Sequence, residues 1–299
     1  MTDFFNTDYI TLNILHLVIF ILYIAVGKSG IVFVLAGILF SLIHLPQSLY
    51  FLTGFALICG INFRDNTSYL TTGIRLFVQF VAIGLILFDL DVYYLFPWWL
   101  ALTACIVCVG IINAYHTMDG IKGMTGLYSL VILVCLQYVN QNIISFVHPD
   151  FIIFTILACV VFLFSNAGNP AKCFAGNVGS IGIAFCIVVL LLRLILETDD
   201  IIWILFLAVY GVDMICKTIH RIYLKQNIFK PRQIHCQVWG EKTKWSYLWM
   251  PVIYAVIQLI VCIVVTYFRK RIPEIMLFST LLGLLTVLYV LKFQHDFDD

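Results

Sequence analysis

Four polar segments interrupt an otherwise apolar chain, at residues 62–75, 113–123, 166–180 and 220–245. They carry Asp65 and Asn66, then Asn113, His116, Asp119, Gly120 and Lys122, then Lys172 and Asn177, and finally Arg221, Arg232 and His235. Asp213 stands apart from them, inside an apolar run. Ionisable groups at membrane depth are costly, and where they occur they line a cavity or bind something polar. The chemistry such a set would serve is the capture of a polar partner at one membrane face, and a single site shared by the four segments is the economical reading. Each residue also has a plainer reading. Asp65 suits a helix cap, Asn113 and Asp119 suit helix ends and turns, and His116 on its own suits a hydrogen-bonded interfacial histidine. Lys242 and Lys244 fit an anchor that touches anionic lipid. Asp213 has the strongest standalone case, because an acid inside a span is a functional hypothesis by default.

The elements that must position these residues are helices in a membrane. Hydrophobic residues make up 63% of the 299-residue chain and charged residues 11%, a balance that cannot cover a water-facing surface. A span needs about 20 apolar residues. Apolar runs fall at 9–26, 31–44, 48–61, 74–88, 98–114, 124–139, 151–164, 180–196, 201–219, 247–267 and 275–293. The expected fold is therefore all-α: one polytopic integral membrane helical bundle over 1–299, with ten or eleven spans and no large domain outside the membrane. Met1–Tyr9 has no basic stretch and no small-residue cleavage site, so the first helix is expected to stay.

Lysine and arginine set the expected orientation. The odd-numbered loops and the C-terminus hold thirteen of the 17 basic residues; Arg193, Arg269, Lys270 and Arg271 lie opposite. That bias puts all four polar segments in the cytoplasm, the N-terminus outside and the C-terminus inside. Tyr93, Tyr94, Trp98 and Trp99 then form an outer aromatic belt, and Asp89, Asp91, Asp199 and Asp200 are expected to be solvated on that side. The net charge of +1 gives no reason to expect nucleic acid as a partner. The cysteines sit mostly in apolar runs and read as small hydrophobes; Cys105 and Cys108 lack the second pair or nearby histidines that a metal site needs.

The polar segments also match a family pattern in order. Asn113-Ala114-Tyr115-His116-Thr117-Met118-Asp119-Gly120 resembles an N-A-x-N-x-x-D-G signature, and Cys173-Phe174-Ala175-Gly176-Asn177-Val178-Gly179-Ser180 resembles F-x-G-D-x-G-S. Val212-Asp213, followed by His220-Arg221 and the basic loop to His235, resembles the stretch ending in a His-rich cytoplasmic loop; Asp65-Asn66 stands where paired aspartates would. The chain thus resembles the polyprenyl-phosphate N-acetylhexosamine-1-phosphate transferases of the wider glycosyltransferase family 4. That resemblance implies transfer of a sugar 1-phosphate, GlcNAc-1-phosphate being favoured, from a UDP-sugar to undecaprenyl phosphate, with release of UMP. It implies a bacterial cytoplasmic membrane, cell-envelope glycan assembly, and Mg2+ or Mn2+ as cofactor. UDP-sugar, polyprenyl phosphate lipid and the membrane become the expected partners, with a homodimer allowed and no nucleic acid.

By the same resemblance Asp65, Asn66 and Asp119 are catalytic, and His116 and Asn177 hold the metal. Asn113, Gly120, Lys122, Lys172, Asp213, Arg221, Arg232 and His235 bind substrate. Three positions depart from the pattern: Asn66, His116 and Asn177 replace an aspartate, an asparagine and an aspartate. A neutral amide attracts a divalent cation less than a carboxylate, and imidazole suits magnesium poorly. A second reading therefore stands beside the enzyme: a member of the same fold that binds polyprenyl phosphate or nucleotide sugar without turnover. A transporter, for which Asp213 would couple ions, predicts broken helices in two related halves, a symmetry absent from the sequence.

Overall fold

A computed structural model describes residues 16, 18–24, 30–44, 48–67, 70–119, 121–166, 175–223 and 244–295, and among these all regular structure is helical. After a helical stretch at 18–24 come α1 (Ile31–Ile43), α2 (Leu49–Thr67), α3 (Thr72–Asp89), the single turn α4 (Val92–Leu95), α5 (Trp98–Met118), α6 (Met124–Asn142) and α7 (Pro149–Asn166). Then follow α8 (Gly176–Thr198), a 3-10 helix (Ile201–Leu207) that runs into α9 (Ala208–Tyr223), α10 (Lys244–Phe268) and α11 (Glu274–His295). Every apolar run from residue 31 onward falls on one of these helices. Among the described residues six helices are long and apolar enough to cross a membrane, and three more, Ile31–Ile43, Pro149–Phe164 and Glu274–Tyr289, are shorter apolar helices. The chain is a multi-pass helical membrane protein.

α8 is the axis of the bundle. Its residues are apolar on every side, the pattern of a helix surrounded by protein, and Val178–Leu191 is buried without a break. It packs against α1, α2, α5 and α6 and against the 3-10 helix. Small residues allow the close crossings that bind helices in lipid, where burial of apolar surface alone drives nothing. A Cβ on Gly179 would lie 2.6 Å from Gly30 Cα, and one on Gly37 would lie 2.5 Å from the Phe55 ring.

A second device sits where the 3-10 helix turns into α9. A change of helix type leaves backbone groups without their usual partners, and buried ones must be satisfied. Gln258 of α10, fully buried, accepts the Val209 N–H at 3.1 Å through Oε1 and donates Nε2 to the Leu205 carbonyl at 3.1 Å. Tyr128 donates its hydroxyl to the same Oε1 at 2.7 Å, and the Tyr128 and Tyr210 rings stack at 3.6 Å. Together these contacts fix α9, and with it Asp213, against α6 and α10.

Of the acids expected to be solvated on the outer side, Asp91 and Asp199 are exposed, whereas Asp89 and Asp200 are half-buried in ion pairs. Asp89 is paired with Arg193 at 3.2 Å and Asp200 with Arg269 at 3.3 Å, and the Arg269 guanidinium also lies 4.5 Å from the Trp203 ring centre. Asp200 further accepts the Ile202 N–H at 3.1 Å as the cap of the 3-10 helix. Two of the four basic residues that break the charge bias are thus matched by acids at the same end of the bundle.

Candidate functional site

Asp65 lies in the last turn of α2, which continues past the apolar run to Thr67. One carboxylate oxygen accepts the Leu70 N–H at 3.1 Å; the other accepts Arg75 Nη1 at 2.9 Å and the Asn177 side-chain N–H at 3.1 Å. Neither charge suits its position, since an anion at a helix C-terminus and a cation in a first turn both oppose the helix dipole. The pair cancels both conflicts and closes the α2–α3 connection. Arg75 Nε is buried and has no hydrogen-bond acceptor among the described residues.

Asp119 ends α5. One oxygen accepts the Thr125 hydroxyl at 2.8 Å and the other accepts the Gly176 N–H at 2.9 Å, which joins the start of α6 and the start of α8 to the end of α5. Burial pushes the Asp119 carboxyl up to about 7, although the bonds from Thr125 and Gly176 pull it down. Gly123 and Gly176 have φ of +75° and +66°, a left-handed backbone that residues with a Cβ rarely adopt. Gly123 also donates its N–H to Asn166 at the end of α7. His116, in the last turn of α5, faces Ser180 Oγ at 3.4 Å and lies near the charges of Arg75 and Asp65. Ser180 in turn donates to the Gly176 carbonyl at 2.7 Å.

Asp65, His116, Asp119 and Asn177 therefore belong to one connected network, built on the ends of α2 and α5 and the start of α8. Asn113 is turned elsewhere: it donates to Gln79 of α3 at 2.7 Å and to the Val109 carbonyl at 2.8 Å, a link between α5 and α3. Asp213 pairs with Lys217 one turn on at 2.5 Å and accepts the Tyr254 hydroxyl at 2.9 Å. The Lys217 ammonium also lies 3.7 Å from Met118 Sδ at the end of α5. Lys122 is half-buried in the α5–α6 connection. Gly120, Lys172, Arg232 and His235, and the side chains of Asn66 and Arg221, lie outside the described residues.

Arg75, Thr125 and Ser180 are members of the network that sequence reasoning did not single out. Arg75 alone carried a signal, as the only basic residue in the first turns of an otherwise apolar helix. The sequence also gave no notice of a second group of potential metal ligands. His44, His148 and Asp150 bring their ligand atoms within 4.8 Å of one another, at the end of the bundle opposite Asp65; Asp65, His116 and Asp119 form no such group among the described residues.

Residues 48–195 match the family model described as glycosyl transferase family 4. The matched stretch contains the whole described network, from Asp65 to Ser180, and stops before Asp213 and the 220–245 segment. No curated protein matches the chain. The match covers 148 of the 299 residues, just under half of the chain, and makes that stretch similar to glycosyl transferase family 4.

Proposed function

We propose, from the match to glycosyl transferase family 4 over residues 48–195, that the chain is a single membrane transferase domain. It moves an N-acetylhexosamine 1-phosphate, with GlcNAc-1-phosphate the first candidate, from a UDP-sugar to undecaprenyl phosphate on the cytoplasmic face of a bacterial inner membrane. A lipid-phosphate oxygen attacks the sugar-bearing phosphorus, the bond from that phosphorus to the bridging oxygen breaks, and UMP leaves with that oxygen.

The observation that carries this reading is Arg75, a guanidinium fixed by Asp65 whose buried Nε has no acceptor among the described residues. Positioned cations are what a reaction between two phosphate anions requires. Asp65 orients Arg75, and the lipid phosphate would supply the missing acceptor. Asn177 donates to the same Asp65 oxygen as Arg75. Gly176 and Gly123 let backbone approach the nucleotide phosphates. Lys122, Lys172, Arg221 and Arg232 add positive field around the diphosphate, and Gly120, Asn66, Asp213 and His235 border the nucleotide and sugar.

A divalent cation fits these residues in one form only. Each Asp119 oxygen accepts one bond and keeps a second lone pair, and magnesium is commonly held by one or two carboxylates plus substrate phosphates. Asp119 and the Asn177 carbonyl oxygen would hold it with the diphosphate, where it would neutralise charge on the leaving UMP.

The purified protein is tested for UMP release from UDP-GlcNAc, with and without undecaprenyl phosphate, in magnesium, manganese or neither. Release that requires the lipid supports the enzyme. No release from folded protein with any UDP-sugar tried, while polyprenyl phosphate still binds, supports the second reading, a binding protein without turnover. The contact that favours this second reading is the Asn177 amide on Asp65, because it satisfies with protein donors a carboxylate that would otherwise face a metal.

A further inference from the structure

We propose a transition-metal site, of the kind zinc occupies, at the end of the bundle opposite Asp65, with His44, His148 and Asp150 as ligands and His16 orienting the carboxylate. Three elements bring these residues together. His44 follows α1, its N–H donating to the Phe40 carbonyl at 3.1 Å. Asp150 stands in the first turn of α7, and His148 immediately precedes that helix. The Phe40 and Phe151 rings stack at 4.4 Å, 12° from parallel, and lock α1 to α7 beside the cluster.

His44 Nε2 lies 3.3 Å and His148 Nδ1 3.4 Å from the same oxygen of Asp150; His16 Nε2 lies 3.2 Å from the other oxygen. Charge-assisted N–H···O bonds run at about 2.7–2.9 Å, so these are long for hydrogen bonds. The two distances from His44 and His148 to the shared oxygen match the edge of a tetrahedron whose centre lies about 2.0–2.1 Å from each ligand atom, which is about 3.3–3.4 Å, and the three ligand atoms all lie within 4.8 Å of one another. Asp150 is only 3% exposed, and a carboxylate so buried needs a compensating cation. No lysine or arginine pairs with it among the described residues, where its ionic partners are the three imidazoles. Imidazole and carboxylate together select zinc-like ions over magnesium, and a carboxylate gripped from behind by a histidine is a usual support for such a site.

The site has an entrance and a vacant side. His44 and His148 line a cavity of about 80 Å3 with Ser48, Phe51 and Arg193, room for a water as the fourth ligand. The His148 side chain is 53% exposed. Arg193, which also lines the cavity, is held by Asp89 at 3.2 Å. The site shares no residue with the Asp65 network and stands whether or not the transferase reading does.

The full chain, purified on a histidine-free tag, is stripped with a chelator, equilibrated with zinc or cobalt, and desalted. Metal analysis should give one zinc per chain, and cobalt should give the strong visible bands of tetrahedral nitrogen–oxygen ligation. His148→Ala, which removes the most exposed ligand and so threatens folding least, should retain at least tenfold less metal; His295→Ala, at the end of α11, should retain the wild-type amount. Zinc should also raise the melting temperature of the wild type and not that of His148→Ala. Absence of retained metal in the wild type, an octahedral cobalt spectrum, or loss of metal in His295→Ala with retention in His148→Ala would each overturn the site.

Discussion

Asp65 holds together a connection in which both charges oppose their helix dipoles. In Asp65→Asn the amide oxygen can still accept from Leu70, but Arg75 keeps its charge without an anion. Orientation of a phosphate-binding guanidinium is then lost, and the rate of UMP release should fall about 100-fold or more, the scale of removing one preorganised electrostatic contact. The melting temperature should drop modestly, because Arg75 is partly exposed and its pairing is screened. Equal rates for the two proteins would remove Asp65 from the mechanism. Asn177→Asp sets a second carboxylate against the oxygen that Asn177 now donates to at 3.1 Å. Two anions at that distance need a cation between them, so the variant's melting temperature and any turnover should become sensitive to chelator where the wild type's are less so.

Asp119 gives a pH dependence of definite sign. Its carboxyl is pushed from the ordinary 3.8 up to about 7 by burial, so the folded state binds more protons than the unfolded state between those values. Its contribution to stability therefore declines as pH rises from about 4 to about 7 and is flat above. A role that needs the carboxylate runs the other way: turnover should climb through pH 7. Thr125→Val removes the hydroxyl that favours the charged form, and the climbing limb should move up by about one pH unit. A profile that stays in place in the variant would separate Asp119 from the rate.

At the scale of elements, hydropathy found the helices and missed where they end. The run 48–61 became a helix to Thr67, and the run 98–114 one to Met118. Apolar composition reports where a chain leaves lipid, whereas backbone hydrogen bonds continue into the interface. Asp65 and His116 lie on those two extensions, so residues read as loop residues are held by helical backbone. The motif residues themselves were legible, because glycine, amide and carboxylate at fixed spacing stand out in an apolar chain. Their partners were not: Arg75, Thr125 and Ser180 acquire meaning only from helices distant in sequence. Gln258 is the extreme case, one polar letter in an apolar run that satisfies two backbone groups and a tyrosine of other helices. Gln258→Leu leaves the Val209 N–H without its acceptor, while the Leu205 carbonyl keeps the Ala208 N–H and the Tyr128 hydroxyl keeps the Tyr210 N–H; it should cost about 1–3 kcal/mol, read as an early thermal transition of the detergent-solubilised protein. Unchanged melting would mean that water replaces the amide.

Over the whole molecule the open question is which end faces the cytoplasm. The count of thirteen basic residues against four already favours Asp65 inside, and the pairs Asp89–Arg193 and Asp200–Arg269 weaken the dissent, since a matched cation at the far end needs no negative phase to attract it. The two ends differ in what they carry: the Asp65 end has the network of Asp65, Arg75, His116, Asp119 and Asn177, while the opposite end has aromatic residues exposed at Tyr94 (74%) and Trp98 (76%) and the histidine cluster. A nucleotide sugar is made and kept in the cytoplasm, so the transferase reading holds only if the Asp65 end lies there. Tyr94→Cys, at the exposed turn after α3, should react with a membrane-impermeant maleimide on intact cells, above the background of the wild type's own cysteines. Thr71→Cys, exposed at the start of α3, should react only after permeabilisation. The reverse pattern would place the network outside, cut it off from UDP-sugars and leave the bundle as a lipid-phosphate binder of the outer leaflet.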